Sequence, residues 1–390
     1  MLTDSEKIRK IKSEMRASGI DVLVCRNPEN VLYLSGYWPV TGWSLVIFPA
    51  EGDPALIVPE AEVDFARESW IRDVRTYPTE TLREVWNPYK HLRELLSKIE
   101  IPKGARVGCE MGFETMATNN VVGELNYANL PTFDLIREVW KVELVDASRL
   151  LLRLRMIKSE TEIVKIKLAN EIAAYGLKAA LEVLKEGVKE SQVAATAEKA
   201  VQEVGIGYKN AVRRARGFAF VMSGPNATKA WYPFNISTDR RLKSGDLVLI
   251  EFNVYADGYW TDITRTWVLG SVPSEIKDMH QALLDAQEAA WETIKEGVPA
   301  PEVDKAARQL IAERGYSKYF PHRLGHGIGV RLHEPPAIHP ASADVLSEGM
   351  VITIEPGLYT KTFGMRVEDV VLVLKGGAER LSLFDRSLEA

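Results

Sequence analysis

The stretch from Leu247 to Val268 constrains this chain more than any other. It opens on Leu247-Val-Leu-Ile250, an apolar run of strand length, and closes that run on a carboxylate, Glu251. After Tyr255-Ala-Asp-Gly258 it returns through a second strand-like run that carries Asp262. Consecutive apolar residues bounded by turn signals read as a strand buried on both faces, so the two acids are not on a solvated edge. With Tyr255 to Gly258 as a four-residue turn, Val254 pairs with Tyr259 and Glu251 lies opposite Asp262, with Cβ atoms about 4.5–5.5 Å apart. Two carboxylates so placed repel each other, and one takes up a proton unless a cation lies between them. The pattern calls for a cation.

Two further acids sit at the mouths of apolar runs. Glu355 ends Met350-Val-Ile-Thr-Ile before Pro356-Gly357, and Glu368 leads into Val370-Val-Leu-Val-Leu374. A carboxylate in such a place is costly unless it is paired or ligated. Four of the six histidines, His322, His326, His333 and His339, fall within 18 positions. Around His326 the run Leu324-Gly-His-Gly-Ile-Gly329 lets backbone approach closely. His333-Glu-Pro-Pro336 is not a helical zinc motif, because the prolines break any helix and the next histidine is six positions on. The glycines form neither GxxxxGK[ST] nor GxGxxG, so no phosphate cradle is expected.

The chain has 390 residues, too many for one ordinary core, and two domains are expected. Residues 1–150 alternate helical and strand patterns. Strands are expected at Asp21 to Cys25, Ser44 to Phe48, Ala55 to Val58 and Arg106 to Cys109, and helices at Tyr89 to Lys98 and Thr115 to Leu125. That alternation reads as an α/β domain. Residues 151–390 run differently. Ser159-Glu-Thr-Glu162 has the form of a capping box opening a helix to about Lys185. A helix over 190–204, strands over 218–268, helices over 274–295 and 301–314 and further strands follow, which reads as an α+β domain with segregated layers. A net charge of −5 gives no electrostatic footprint for nucleic acid or an anionic membrane. Two cysteines, Cys25 and Cys109, exclude a disulfide scaffold and a thiolate zinc module. A heavily charged N-terminus and the lack of any 18-residue apolar window lead to the expectation of a cytoplasmic protein.

These motifs, in this order, resemble the pita-bread metallopeptidases of family M24, the group of methionine aminopeptidase, aminopeptidase P and prolidase. The landmarks are Ser223-Gly-Pro-Asn226, Lys243-Ser-Gly-Asp246, Asp257-Gly-Tyr-Trp-Thr-Asp-Ile-Thr-Arg265, Gly325-His-Gly-Ile-Gly329, His333-Glu-Pro-Pro336, Ile354-Glu-Pro-Gly357 and Met365-Arg-Val-Glu-Asp369. Each is weak alone, but the ordered set is specific. The resemblance implies an α+β fold: a pita-bread catalytic domain preceded by a smaller α/β domain of creatinase/prolidase type. It implies two divalent metal ions (Mn, Co, Fe or Zn) on Glu251, Asp262, His326, Glu355 and Glu368, activating a water and polarising the scissile carbonyl. Glu355 is also the expected general base. His322 and His333 are expected to bind substrate and stabilise the tetrahedral intermediate, and Arg366 to bind a substrate carboxylate. A small peptide or amide substrate and a homodimer are implied as well.

The chain departs from that family in two places. Glu251 stands where the family has Asp. Prolidase-like relatives also carry a histidine after Ser-Gly-Pro-Asn, five positions before the Thr-Asp-Arg step. Here that count lands on Phe234, and no histidine lies between residues 92 and 279. Trp231, Tyr232 and Phe234 occupy the segment instead and are the expected substrate wall. The leading expectation is a dinuclear-metal hydrolase of a C–N amide bond, of Xaa-Pro dipeptidase or aminopeptidase type. Against it stand a metal-free creatinase-like amidinohydrolase, a non-enzymatic binding module, and a hydrolase or lyase of a small non-peptide substrate such as ectoine or dimethylsulfoniopropionate.

Overall fold

The computed structural model describes residues 1–41, 43–79, 87–112, 130–232 and 236–389. Phe234 and the helix expected at Thr115 to Leu125 lie outside them. The described residues form two compact units: 3–112 with 130–155, and 156–389 with Met1 and Leu2.

In the first unit the strands are β1 (Val22–Cys25), β2 (Leu45–Pro49), β3 (Ala55–Pro59), β4 (Asp73–Tyr77), β5 (Arg106–Cys109) and β6 (Glu143–Asp146). They form one sheet in the order β4-β3-β2-β1-β5-β6, parallel at β3/β4, β1/β5 and β5/β6 and antiparallel elsewhere. Helices α1 (Asp4–Ala17), α2 (Pro28–Ser35), α3 (Val63–Ala66), α4 (Pro88–Leu96), α5 (Leu130–Trp140) and α6 (Ser148–Met156) surround it. Strand alternation explains the two-sided burial. Leu23 and Cys25 face Ile11, Met15 and Leu34, whereas Val22 and Val24 face Leu92, Leu96 and Ile136. Both cysteines are free and buried.

In the second unit α7 (Glu160–Glu182) opens as its capping box requires, with Ser159 N donating to the Glu162 carboxylate at 2.9 Å. Together with α8 (Glu190–Gly205) it covers one face of a three-stranded sheet, β7 (Ala215–Ser223), β8 (Leu247–Ala256) and β9 (Tyr259–Val268). Helices α9 (Ser274–Thr293) and α10 (Ala300–Glu313) share the other large core with a second sheet. Its strands are β10 (Gly325–Gly327), β11 (Glu334–Ile338), β12 (Val351–Ile354), β15 (Asp369–Leu374) and β16 (Gly377–Arg380), in the order β11-β10-β12-β15-β16. A two-stranded ribbon, β13 (Gly357–Tyr359) with β14 (Gly364–Arg366), completes the unit. This is the α+β arrangement expected of the C-terminal part.

The hairpin register differs from the expectation. Ala256 pairs with Tyr259, so the turn is the two residues Asp257 and Gly258. Both have positive φ, 46° and 85°, the backbone of the tight turn that matches strand twist. Asp257 tolerates that conformation because its carboxylate accepts from the backbone N–H groups of Arg213 and Arg214. Asp262 therefore lies opposite Asn253, and Glu251 opposite Thr264. The slip is two positions, so Glu251 and Asp262 still share a face but stand diagonally rather than directly across.

Candidate metal centre

The strands of the second unit deliver the predicted acids to one place. On β8 and β9, Phe252, Ile250 and Ile263 turn into the α7/α8 core. Alternation then sends Glu251, Asn253, Asp262 and Thr264 to the opposite face. Glu368 reaches this face because its backbone N–H donates to Thr264 O at 3.1 Å. Glu355 follows β12, with its N–H on Leu324 O at 2.8 Å, next to the strand that carries His326. Gly325 makes that strand's close approach feasible: a Cβ there would lie 1.9 Å from the carbonyl oxygen of Thr353. Gly325→Ala is therefore expected to cost about 1–3 kcal/mol and to weaken ion binding about 10- to 100-fold by shifting His326. Urea unfolding and an ion-binding titration of the variant check both.

The acceptor atoms are arranged in a way that a cation reconciles. His326 Nδ1 lies 2.9 Å from Gly327 O. A carbonyl can only accept, so Nδ1 carries the proton and Nε2 presents a lone pair. That lone pair faces Asp262 Oδ2 and Glu355 Oε1, each at 3.7 Å. Burial holds His326 well below the usual imidazole range, with the His333 ring adding to the effect. At 3.7 Å no hydrogen bond joins these atoms. Glu368 donates nothing either: its Oε2 accepts from Thr264 Oγ1 at 2.6 Å, and its Oε1 is buried with no hydrogen-bond partner. Burial, and then the neighbouring carboxylates, push Asp262 and Glu355 far above the usual carboxylate range. Glu368 is pushed up to about 7 by burial, against the pull of Arg366. A divalent cation removes all of these conflicts at once. Among the described residues two ligand sets draw close enough to hold one, Asp262 with His326 and His333, and His326 with Glu355 and Glu368.

Glu251 belongs to neither set. Its Oε2 accepts from Arg366 Nη2 at 2.5 Å. The same guanidinium donates from Nη1 to Ala230 O and Tyr359 Oη, both at 3.2 Å, and from Nε to Thr264 Oγ1 at 3.1 Å. Arg366 is 5 % exposed. Arg366, expected to bind a substrate carboxylate, lies 4.0 Å from Glu355 Oε2 and is paired here with the carboxylate of Glu251. Nothing in the one-dimensional pattern announces that partner, which is 115 positions away.

His322 and His333 are both brought to the site and both neutral. Burial pushes each down to about 3. The rings of His326 and His333 lie 3.9 Å apart. His322 Nδ1 donates to Arg323 O at 2.7 Å, which leaves Nε2, buried and without a hydrogen-bond partner, as an acceptor. In this tautomer Nε2 suits a substrate N–H donor rather than an oxyanion. His339 takes no part: its Nδ1 accepts from the N–H of Ala341.

Trp231 and Tyr232 follow directly on Ala230, whose carbonyl Arg366 holds, so they stand at the rim of the cluster. Their rings meet edge to face at 5.0 Å and are 39 % and 48 % exposed. Glu190, fully buried, was not singled out by the sequence. It accepts from Ser223 N and Oγ, from Asn226 Nδ2 and from Thr238 N and Oγ1, and so fixes both ends of the segment that carries the aromatics. A second missed pair, Lys158 with Glu334 at 2.9 Å, is almost fully buried and anchors the residue next to His333. Removing one partner of such a pair costs about 3–5 kcal/mol.

Comparison with known proteins bears on this geometry. Residues 164–375 match the model of metallopeptidase family M24, and residues 7–157 that of the creatinase/prolidase N-terminal domain. The chain is 36 % identical to an Xaa-Pro dipeptidase of Pyrococcus horikoshii over 98 % of its own length and 99 % of the relative's. It is similar to the crystal structure of the prolidase from Pyrococcus horikoshii OT3, with a TM-score of 0.77 at 33 % identity, covering 98 % of this chain and 99 % of that one. An X-Pro aminopeptidase structure from Thermotoga maritima matches with a TM-score of 0.79 at 28 % identity, covering 97 % of this chain and 99 % of the other.

Proposed function

This chain belongs to metallopeptidase family M24, and we propose that it hydrolyses the amide bond of Xaa-Pro dipeptides or closely similar amides. It is a metal-dependent hydrolase, of a family that works with a pair of divalent ions. One observation carries the reading: the unprotonated Nε2 of His326 faces Asp262 Oδ2 and Glu355 Oε1 at 3.7 Å, three atoms joined by no hydrogen bond and spaced as ligands of a cation would be. The proposed ligands are Glu251, Asp262, His326, Glu355 and Glu368.

Bound divalent ions supply a water that ionises near neutral pH and an electrophile for the scissile carbonyl. The remaining work falls to the chain's own groups. Glu355 takes the proton of the attacking water, a task suited to a carboxylate whose proton affinity burial has raised. His322 accepts a hydrogen bond from the substrate's N-terminal amine through Nε2, since the nitrogen of an Xaa-Pro bond carries no hydrogen. His333 stands beside His326 to steady the developing tetrahedral oxygen. Arg366 positions Glu251 and the Ala230 carbonyl and lies 4.0 Å from Glu355 Oε2, and Trp231 and Tyr232, with Phe234 as a further candidate, would take the substrate side chain.

The same reading takes residues 1–150 as a creatinase/prolidase-like N-terminal domain and 151–390 as the catalytic domain. It makes the protein a homodimer, checked by sedimentation, and places it in the cytoplasm. Among the described residues no helix is long and apolar enough to cross a membrane. The test is a panel of Leu-Pro, Met-Pro, Leu-Ala and Met-Ala after exhaustive chelation and again after adding Mn²⁺ or Co²⁺. Cleavage is expected for the proline members ahead of the alanine members, lost on chelation and restored by the ion. Full activity after chelation, or preference for Leu-Ala, refutes the proposal.

A further inference from the structure

Asn253 has no part in the ligand set above, yet it lies on the same face of β8, two positions from Glu251 and directly opposite Asp262. It is fully buried. Its Nδ2 donates to Asp262 Oδ1 at 2.6 Å, and its own Oδ1 is buried without a hydrogen-bond partner. The oxygens of the four acids therefore divide into two groups. Asp262 Oδ2, Glu355 Oε1 and Glu368 Oε1 converge with His326 Nε2 and receive no hydrogen bond from a protein donor that competes with a cation there. Asp262 Oδ1, Glu251 Oε2 and Glu368 Oε2 are each engaged by a donor of the chain itself, the Asn253 amide, the Arg366 guanidinium and the Thr264 hydroxyl.

We propose that Asn253 is an affinity-determining residue of the metal centre: with Arg366 it occupies the carboxylate oxygens on the Glu251 side, so that one divalent ion binds tightly to Asp262, His326, Glu355 and Glu368 and the second binds only by displacing these donors. The inference rests on the metal reading given above. Its physical basis is competition. A charge-assisted hydrogen bond to a buried carboxylate must be broken before that oxygen can ligate, and the guanidinium repels an incoming cation. Outer groups that hold ligands change metal affinity by about 10- to 100-fold.

The experiment is equilibrium dialysis of the metal-stripped full chain against Mn²⁺, with bound metal counted by elemental analysis, and it needs no substrate. The parent is expected to take one ion per chain tightly and a second at least about tenfold more weakly. Asn253→Ala should change the second affinity relative to the first by about tenfold towards equality, because Asp262 Oδ1 is released while Arg366 still holds Glu251. Melting in chelator tests whether that variant folds. Asn253→Asp is the second variant: a carboxylate in place of the amide should also yield two tight ions, whereas a purely structural amide would leave the stoichiometry unmoved. Two ions of equal affinity in the parent, or an unchanged ratio in both variants, overturn the inference while leaving the metal reading intact. No bound ion in the parent overturns both.

Discussion

Glu355→Gln is expected to lower kcat by at least about 10³-fold, since a positioned general base typically contributes 10²–10⁴-fold and a shifted ligand adds to the loss. Glutamine keeps the shape of the side chain but can neither take a proton nor carry the charge that a cation needs. The fold should stand. In the metal-free protein the ionised Glu355 is a liability, because burial and Glu368 raise its proton affinity far above that of an exposed carboxylate. The sign follows from linkage. A carboxylate with a raised pKa in the folded state loses stability as pH rises from its ordinary value through the raised one. Below the ordinary value, parent and variant should melt alike. At neutral pH without metal the variant should melt no lower than the parent, and higher once the parent's Glu355 ionises. Adding Mn²⁺ should reverse the order, because the parent's ligand set is the better one. A variant that retains kcat within about tenfold of the parent would remove Glu355 from the base role.

The chemistry of the centre was legible in the sequence because burial and charge are local properties. An acid inside or beside an apolar strand run is conspicuous wherever it falls, and Asp262, Glu355 and Glu368 were all found that way, with His326 marked by its glycines. What was not legible depends on contacts across the fold. Reading Tyr255 to Gly258 as a four-residue turn placed Glu251 opposite Asp262, whereas the turn is Asp257 and Gly258 alone. The error was survivable because it was even: side chains repeat every two residues along a strand, so the face was kept and only the distance was wrong. An odd slip would have put Glu251 and Asp262 on opposite faces of the sheet. Asn253 escaped notice for a related reason. Only the true register sets its amide against Asp262. Arg366 was assigned outward from its motif, but a guanidinium reaches far enough to choose its partner in three dimensions. In the first unit, the edge strand Asp73–Tyr77 is largely solvent-facing and polar, and gave no apolar run to read.

Leu-Pro and Met-Pro are expected to be turned over slowly, with kcat/KM below about 10⁴ M⁻¹s⁻¹, the lower end of the ordinary enzyme range. The bond class follows from the family and the metal centre, and the rate follows from a missing group. Prolidase-like relatives place a histidine after the Ser-Gly-Pro-Asn motif, where it touches substrate and handles its proton. This chain has no histidine from residue 92 to 279. The imidazoles that do reach the centre are already committed. His326 presents its lone pair to the ion, and His322 and His333 are pushed down to about 3 by burial, far from the pKa near 7 that suits a shuttle. Losing such a group typically costs about 10²–10⁴-fold. In its stead the segment fixed by Glu190 offers Trp231 and Tyr232, edge to face and about half exposed. Aromatic faces attract cations and stack on a proline ring, so they reward a substrate with a bulky or cationic group beside the amide. A steady-state comparison of Leu-Pro and Met-Pro with dipeptides carrying such a group, in Mn²⁺ or Co²⁺, separates the two effects. Trp231→Ala should raise KM for the cationic substrates several-fold, since a cation–π contact contributes about 0.5–2 kcal/mol, and should leave kcat on Leu-Pro nearly unchanged. Fast turnover of Leu-Pro, at or above that limit, would mean that a group other than imidazole already moves the proton, and the aromatic segment would lose its claim on specificity.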